Sequence, residues 1–250
     1  MNKIILLFSI IALTLTSCKK DPVIPMPIPS FLTIHFTHTV DGVPLDLTTT
    51  ESELPYTNAA GQNYNVKKLQ YLVSNISLET NEGTKTLKDV HFVDKEDAST
   101  LKLDLGELEN GTYSNLKFNF GLNGEMNISN AYVNEGFHAT MAWPDMMGGG
   151  YHYMKMEGNF DNDTTFYNTH TGGTMSNDYS FQYNEGNEKA FVVNDQTGDI
   201  EITINMDANG WYSQPNTITL TTDGIMGNMQ LQSTLSNNGS CIFSNSVTYE

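Results

Sequence analysis

Short runs rich in Val, Ile, Thr, Tyr and Phe recur along the chain between turns full of Gly, Asn and Asp, and few stretches carry the 3.6-residue period of a helix. The spacing predicts strands over 31–40, 69–78, 90–93, 112–120, 150–157, 178–183, 189–193, 200–206 and 217–221. Within 113–120, Leu116, Phe118 and Phe120 fall on one face and Asn115, Lys117 and Asn119 on the other, as in a half-buried strand. Asn110 with Gly111, Asn123 with Gly124 and Asn209 with Gly210 supply the positive φ that tight hairpins need. The pattern predicts an all-β fold, an antiparallel β-sandwich with long irregular loops and few short helices, two of them placed at 127–134 and 223–233. Residues 137–173 are the least regular, and loops on a rigid scaffold are where function concentrates.

The N-terminal 17 residues have the three parts of a secretory signal: a short cationic start with Lys3, an apolar run over 4–15, and small residues before Cys18. That run is too short to span a bilayer. Leu15, Thr16, Ser17 and Cys18 resemble the bacterial lipobox, which implies cleavage before a diacylated Cys18 and stable membrane anchoring by several acyl chains. Pro22, Pro25, Pro27 and Pro29 follow, so 18–30 reads as a lipidated cysteine with an extended tether and 31–250 as one domain. The expected location is the outer membrane, facing the periplasm or the cell surface.

Composition narrows the partners. The 12 basic residues against 29 acidic ones give a net charge of −17, and all the basic ones are lysine. Without arginine there are no bidentate phosphate clamps, which argues against nucleic acid. Cation binding is the chemistry this surface permits, although acidity also serves solubility. With Cys18 lipidated, Cys241 is unpaired and reads as a small buried hydrophobe. No nucleophile elbow, P-loop, dinucleotide fingerprint or zinc-protease motif occurs, and the chain reads as a non-enzyme.

Between 138 and 175 lie His138, Met141, Trp143, Met146, Met147, His152, Met154, Met156, His170 and Met175, half of the six histidines and half of the 12 methionines. Thioether and imidazole together are the donor set of Cu(I), whereas calcium takes oxygen alone. Strand alternation places His152, Met154 and Met156 on one face and Tyr151, Tyr153 and Lys155 on the other. A turn at Asp161, Asn162 and Asp163 could return His170 beside His152. Those three turn residues have the oxygen density of a calcium loop, the second metal considered, but lack its glycine and terminal glutamate. Plain structural readings stay open: Met154 and Met156 as core filler, Trp143 as a core aromatic, the histidines as ordinary hydrogen-bonding groups. His35 and His38 alternate to opposite faces, His38 with the parity of Ile34 and Phe36, and His91 reads as solvent-facing.

These residues resemble the MbnP-like copper-binding family, many of whose members are bacteroidetal lipoproteins. The resemblance is carried by 40–45, 56–61, 69–76, 111–113 with 118–121 and, most specifically, by 141–158 with His170, Thr171 and Gly172. It implies copper held by two histidines, His152 and His170, beside a tryptophan, Trp143, that a di-haem peroxidase-like partner oxidises to kynurenine in some members. Better-characterised members carry a histidine two residues after that tryptophan, where this chain has Asp145. Met154, Met156, His138 and His38 are further candidates for the metal or its surroundings. A competing reading is a metal-free surface or glycan-binding module, which requires Tyr151, Tyr153, Trp211 and Tyr212 to be exposed as stacking platforms.

Overall fold

The computed structural model describes residues 28–47, 53–162, 164–184 and 190–249. The signal, Cys18 and the tether up to 27 lie outside these residues. Strand β1 (Ser30–Val40) buries every second side chain from Ser30 to Val40. β2 (Val43–Pro44) turns back on its end. A two-stranded hairpin, β3 (Tyr56–Thr57) with β4 (Asn63–Tyr64), leads into β5 (Lys68–Thr80) and β6 (Gly83–Asp94). β7 (Lys102–Leu108) and β8 (Gly111–Phe120) follow, then β9 (His152–Asn159), β10 (Phe166–Gly172), β11 (Phe181–Asn184), β12 (Phe191–Val193), β13 (Ile200–Asp207) and β14 (Phe243–Tyr249).

Two sheets face each other. The five-stranded sheet runs β14-β13-β1-β2, with β7 also on β1, and the seven-stranded one runs β10-β9-β5-β8-β11, with β6 on β5 and β12 on β8. Pairing is antiparallel except that β1 runs parallel to β13, from Leu32 opposite Ile200 to Thr39 opposite Asp207. A parallel pair needs a long crossover, and here the whole second sheet lies between the two strands in sequence. The core between the sheets takes Leu32, Ile34 and Phe36 from one side and Tyr71, Val73, Phe120, Met154 and Met156 from the other.

β5 organises the second sheet. β6 follows one edge from Gln70 to Thr80, and the other edge is shared, β9 pairing with Lys68 to Tyr71 and β8 with Val73 to Thr80. The sheet therefore forks between β8 and β9. The chain covers the fork with a long excursion between these strands, containing a one-turn helix α1 (His138–Met141) and a 3-10 turn over Asp145–Met147.

Several local expectations are corrected. Residues 127–134 form turns, because Asn127 and Ser129 spend their side chains on the backbone amides of Tyr151 and Gly150. The second helix, α2 (Met229–Gly239), starts later than expected, where the Asn228 side chain caps Leu231 N after the breakers Gly224 and Gly227. Residues 217–221 make no strand, since Leu220 N bonds the Gln62 side chain and Ile218 N the Tyr212 carbonyl. β7, β10 and β14 were not among the expected strands. Cys241 is exposed, the buried place after α2 going to Ile242. His91 is half-buried, stacked 5.3 Å from Phe36 with its Nε2 bonded to Thr100 O. Tyr151, Tyr153, Trp211 and Tyr212 are all buried, so the stacking platform that a glycan-binding module requires is not formed by them.

Candidate metal centre

The outer face of the seven-stranded sheet, turned away from β1, carries the site. Register makes the assignment: Met154 pairs with Tyr71 and Thr171, and Lys155 with Gln70 and His170, so Met154 points into the core and Lys155 with His170 outward. Opposite the end of β10 the ladder slips, Thr171 opposing Met154 but Gly172 opposing His152. One extra residue in β9 reverses the alternation. His152 thereby leaves the face of Met154 and Met156 and joins that of His170. The expectation that His152, Met154 and Met156 share a face fails at this bulge, and both methionines are fully buried in the inter-sheet core.

The two imidazoles meet edge to face, ring centres 5.1 Å apart at 85°. With metal–nitrogen bonds of about 2 Å, two imidazoles on one ion have centres roughly 5–6 Å apart. Each ring has its proton placed by its other partner. His152 Nδ1 lies 3.2 Å from the Met141 carbonyl, which can only accept, so Nδ1 carries the hydrogen and Nε2 keeps the lone pair. His170 Nε2 donates to Glu157 Oε1 at 2.8 Å, leaving Nδ1 as that ring's basic nitrogen. Burial, then His170 and Lys155 nearby, hold the His152 pKa down at about 3, so the ring is neutral and competent to bind metal. The hydrogen bond from His170, with Lys68 Nζ at 3.3 Å from its other oxygen, pulls Glu157 down to about 2 despite partial burial.

Trp143 closes the site. Its ring centre is 4.7 Å from His152 at 73°, and it is buried with Nε1 unpartnered. The indole lies on Gly172, where a Cβ would stand 2.7 Å from its Cε3. Trp143 N bonds the Gly150 carbonyl, and Gly148, Gly149 and Gly150 all have positive φ. Three left-handed residues in a row reverse the chain within a turn, and only glycine does this cheaply. A Cβ on Gly150 would collide with the Asn127 carboxamide at 2.3 Å.

The remaining candidates go elsewhere. The Tyr151 hydroxyl accepts from Tyr132 N and is hydrogen-bonded to His138 Nδ1 at 2.9 Å, which ties His138 to Tyr151 rather than to the histidine pair. His38 is buried between the sheets with Nε2 3.0 Å from the Tyr71 hydroxyl. His35 lies partly exposed 3.7 Å from Glu201. Asn162 accepts hydrogen bonds from Thr164 and Thr165, as a turn residue does, and Asp163 lies outside the described residues. Sequence reasoning missed Glu157, although its parity with Lys155 was available, and Gln232, whose place facing β10 only the tertiary fold reveals. Gln232 donates to His170 O at 2.8 Å and accepts from Gly172 N at 3.2 Å.

Among the described residues no group of three or more His, Cys, Asp or Glu side chains gathers as metal ligands. Zinc in structural sites takes four protein donors and calcium six to eight oxygens. Two imidazoles in a largely buried setting are a donor set that suits copper.

Fold and site define a β-sandwich protein with a histidine pair held on an outer sheet face beneath a tryptophan-bearing excursion. The MbnP family matches residues 29–233, and the chain belongs to that family. Among solved structures it is similar to MbnP from Methylosinus trichosporium, with a TM-score of 0.54 and 13% identity over 89% of this chain and 99% of that one. At that identity the likeness is one of fold. No curated protein matches the chain significantly.

Proposed function

We propose that this protein binds copper, as Cu(I), between His152 and His170, and serves as a copper-capturing or copper-carrying protein outside the cytoplasm, anchored through lipid on Cys18. The observation that carries the reading is the paired geometry: two imidazoles in ring contact, each with its proton committed to a separate acceptor and each left with one lone pair. Membership of the MbnP family supports it. Trp143 excludes water from one side of the pair, and Glu157 fixes the other ring's tautomer. In edge contact with His152, Trp143 is also where a di-haem partner's oxidation to kynurenine would fall.

The test is a Cu(I) titration of the protein and of the His152→Ala, His170→Ala double variant in competition with a chromogenic Cu(I) chelator. Tight binding of one ion, lost in a double variant that still melts cooperatively, is the expected result. Equal binding by both proteins would remove these histidines as ligands. Mass spectrometry of the Trp143 peptide from the native host reads the modification directly.

A further inference from the structure

Five methionines that the histidine pair does not use lie on three segments that adjoin Trp143, Gly172 and the pair. Met146 and Met147 sit in the 3-10 turn directly after Trp143 and Pro144. Met175 follows Gly172, the floor of the indole, by three residues. Met226 and Met229 stand at the start of α2, whose Gln232 grips His170 and Gly172. The three segments are stitched to one another at these methionines. Met175 N donates to Met147 O at 2.9 Å, Thr174 Oγ1 to Met226 O at 2.8 Å, and Asn177 Nδ2 reaches both Met175 O at 3.3 Å and Met229 Sδ at 3.5 Å.

Packing does not account for them. Met146 is 83% exposed, Met175 55% and Met229 48%. Single exposed apolar side chains are ordinary, but here three stand on segments bonded to one another. Met175 is odder still: with φ of 51°, followed by Ser176 at 68°, it occupies a left-handed turn position that asparagine or glycine normally takes. The chain thus bears backbone strain to hold a methionine where that side chain gains little burial, and strain of this kind points to function. A thioether is a neutral, soft donor that prefers Cu(I) to calcium, zinc or Cu(II).

We propose that Met146, Met175 and Met229, backed by Met147 and Met226, form a surface thioether site for Cu(I), an entry point from which the ion passes to His152 and His170 by ligand exchange with no change of oxidation state. The passage rests on the function proposed above; the binding does not.

The experiment is a titration with Ag(I), a redox-inert substitute for Cu(I), of the protein carrying 13C-methyl methionine, read by the methionine methyl resonances. It is repeated in the His152→Ala, His170→Ala background and in a Met146→Leu, Met175→Leu, Met229→Leu variant. The methyl signals of Met146, Met175 and Met229 are expected to shift in the parent and in the histidine variant alike. The leucine variant, which keeps the apolar volume, is expected to lose one Ag(I) equivalent and to load the histidine pair with Cu(I) more slowly to the same end point. Unmoved methyl signals would overturn the thioether site and leave the three methionines as exposed apolar side chains, with the histidine reading intact. Shifts that vanish with the histidines would equally overturn it. Shifts in both backgrounds without Cu(I) at the histidine pair would overturn the function proposed above and the passage, but not the site.

Discussion

The Glu157 carboxylate accepts a hydrogen bond from His170 Nε2 at 2.8 Å, and by that contact leaves Nδ1 as the nitrogen of the ring that can take a metal, in a ring whose centre is 5.1 Å from that of His152. Glu157 sits two residues beyond Lys155, the register partner of His170, so the contact is a diagonal one across the β9–β10 ladder.

Glu157→Gln keeps the shape but removes the charge, and its amide can donate to His170 Nε2 and pull the proton round to Nδ1. Outer partners of metal-bound histidines are typically worth roughly 10–100-fold in affinity, so Cu(I) affinity is expected to fall by that order in a chelator competition assay. Unchanged affinity would show that the tautomer of His170 does not matter to binding.

Gly172→Ala places a methyl 2.7 Å from the Trp143 ring. Overpacking of this kind costs about 1–3 kcal/mol, read by urea denaturation, and the displaced indole is expected to shift the protein's tryptophan emission. A stable variant with parental emission would mean that the indole has room to move.

Gln232→Leu deprives His170 O and Gly172 N of their partner in a fully buried position. Leaving buried backbone groups unpaired costs about 1–3 kcal/mol each. Equilibrium unfolding should show the loss, and Cu(I) affinity should fall with it, because α2 then no longer fixes the end of β10.

Stability should begin to decline with acid just below neutral pH, through two buried histidines. Burial, then Lys95 and His35, hold His38 at about 3, and His152 lies equally low. Both are neutral in the folded state, whereas in the unfolded chain they charge near 6.5. The unfolded state therefore binds more protons from about pH 6.5 down to about 3, so stability present above 6.5 is lost as pH falls through that window, by up to ~1.4 kcal/mol per pH unit per histidine. Glu157 adds loss of the same sign only between its ordinary value and about 2. His38→Gln, which retains a partner for the Tyr71 hydroxyl, should flatten the dependence between pH 7 and 5 in urea titrations of the metal-free protein. An unchanged slope would show that His38 does not contribute.

Period-two alternation was sufficient to locate β1 and β13, each of which buries one continuous stripe, whereas β5 showed as an apolar run buried on both faces and β8 by its second half, Leu116, Phe118 and Phe120. β10 escaped detection. Its inward residues are Tyr167, Thr169 and Thr171, and threonine reads as polar although it packs well on a pleated surface. The histidine pair was legible from motif and from the turn at 161–163, but its face was not. A bulge at His152 changes parity without changing composition, and nothing in Tyr151, His152 and Tyr153 marks it. Met154 and Met156 were offered as ligands on the strength of that parity, and their burial opposite Leu69 and Tyr71 supports the core reading instead.

The fork along β5 has a consequence for how this protein can change. β8 and β9 lie one after the other on the same edge of one strand, so the chain between them begins and ends beside β5 and, past the bond from Gly121 N to Leu72 O, takes no rung of either ladder. That stretch can be lengthened, shortened or rewritten without shifting the register of any strand. The scaffold and the lid over the histidines are therefore separable units of inheritance, free to diverge at different rates, and variation among relatives should concentrate in the part of that stretch that precedes Met141 and Trp143.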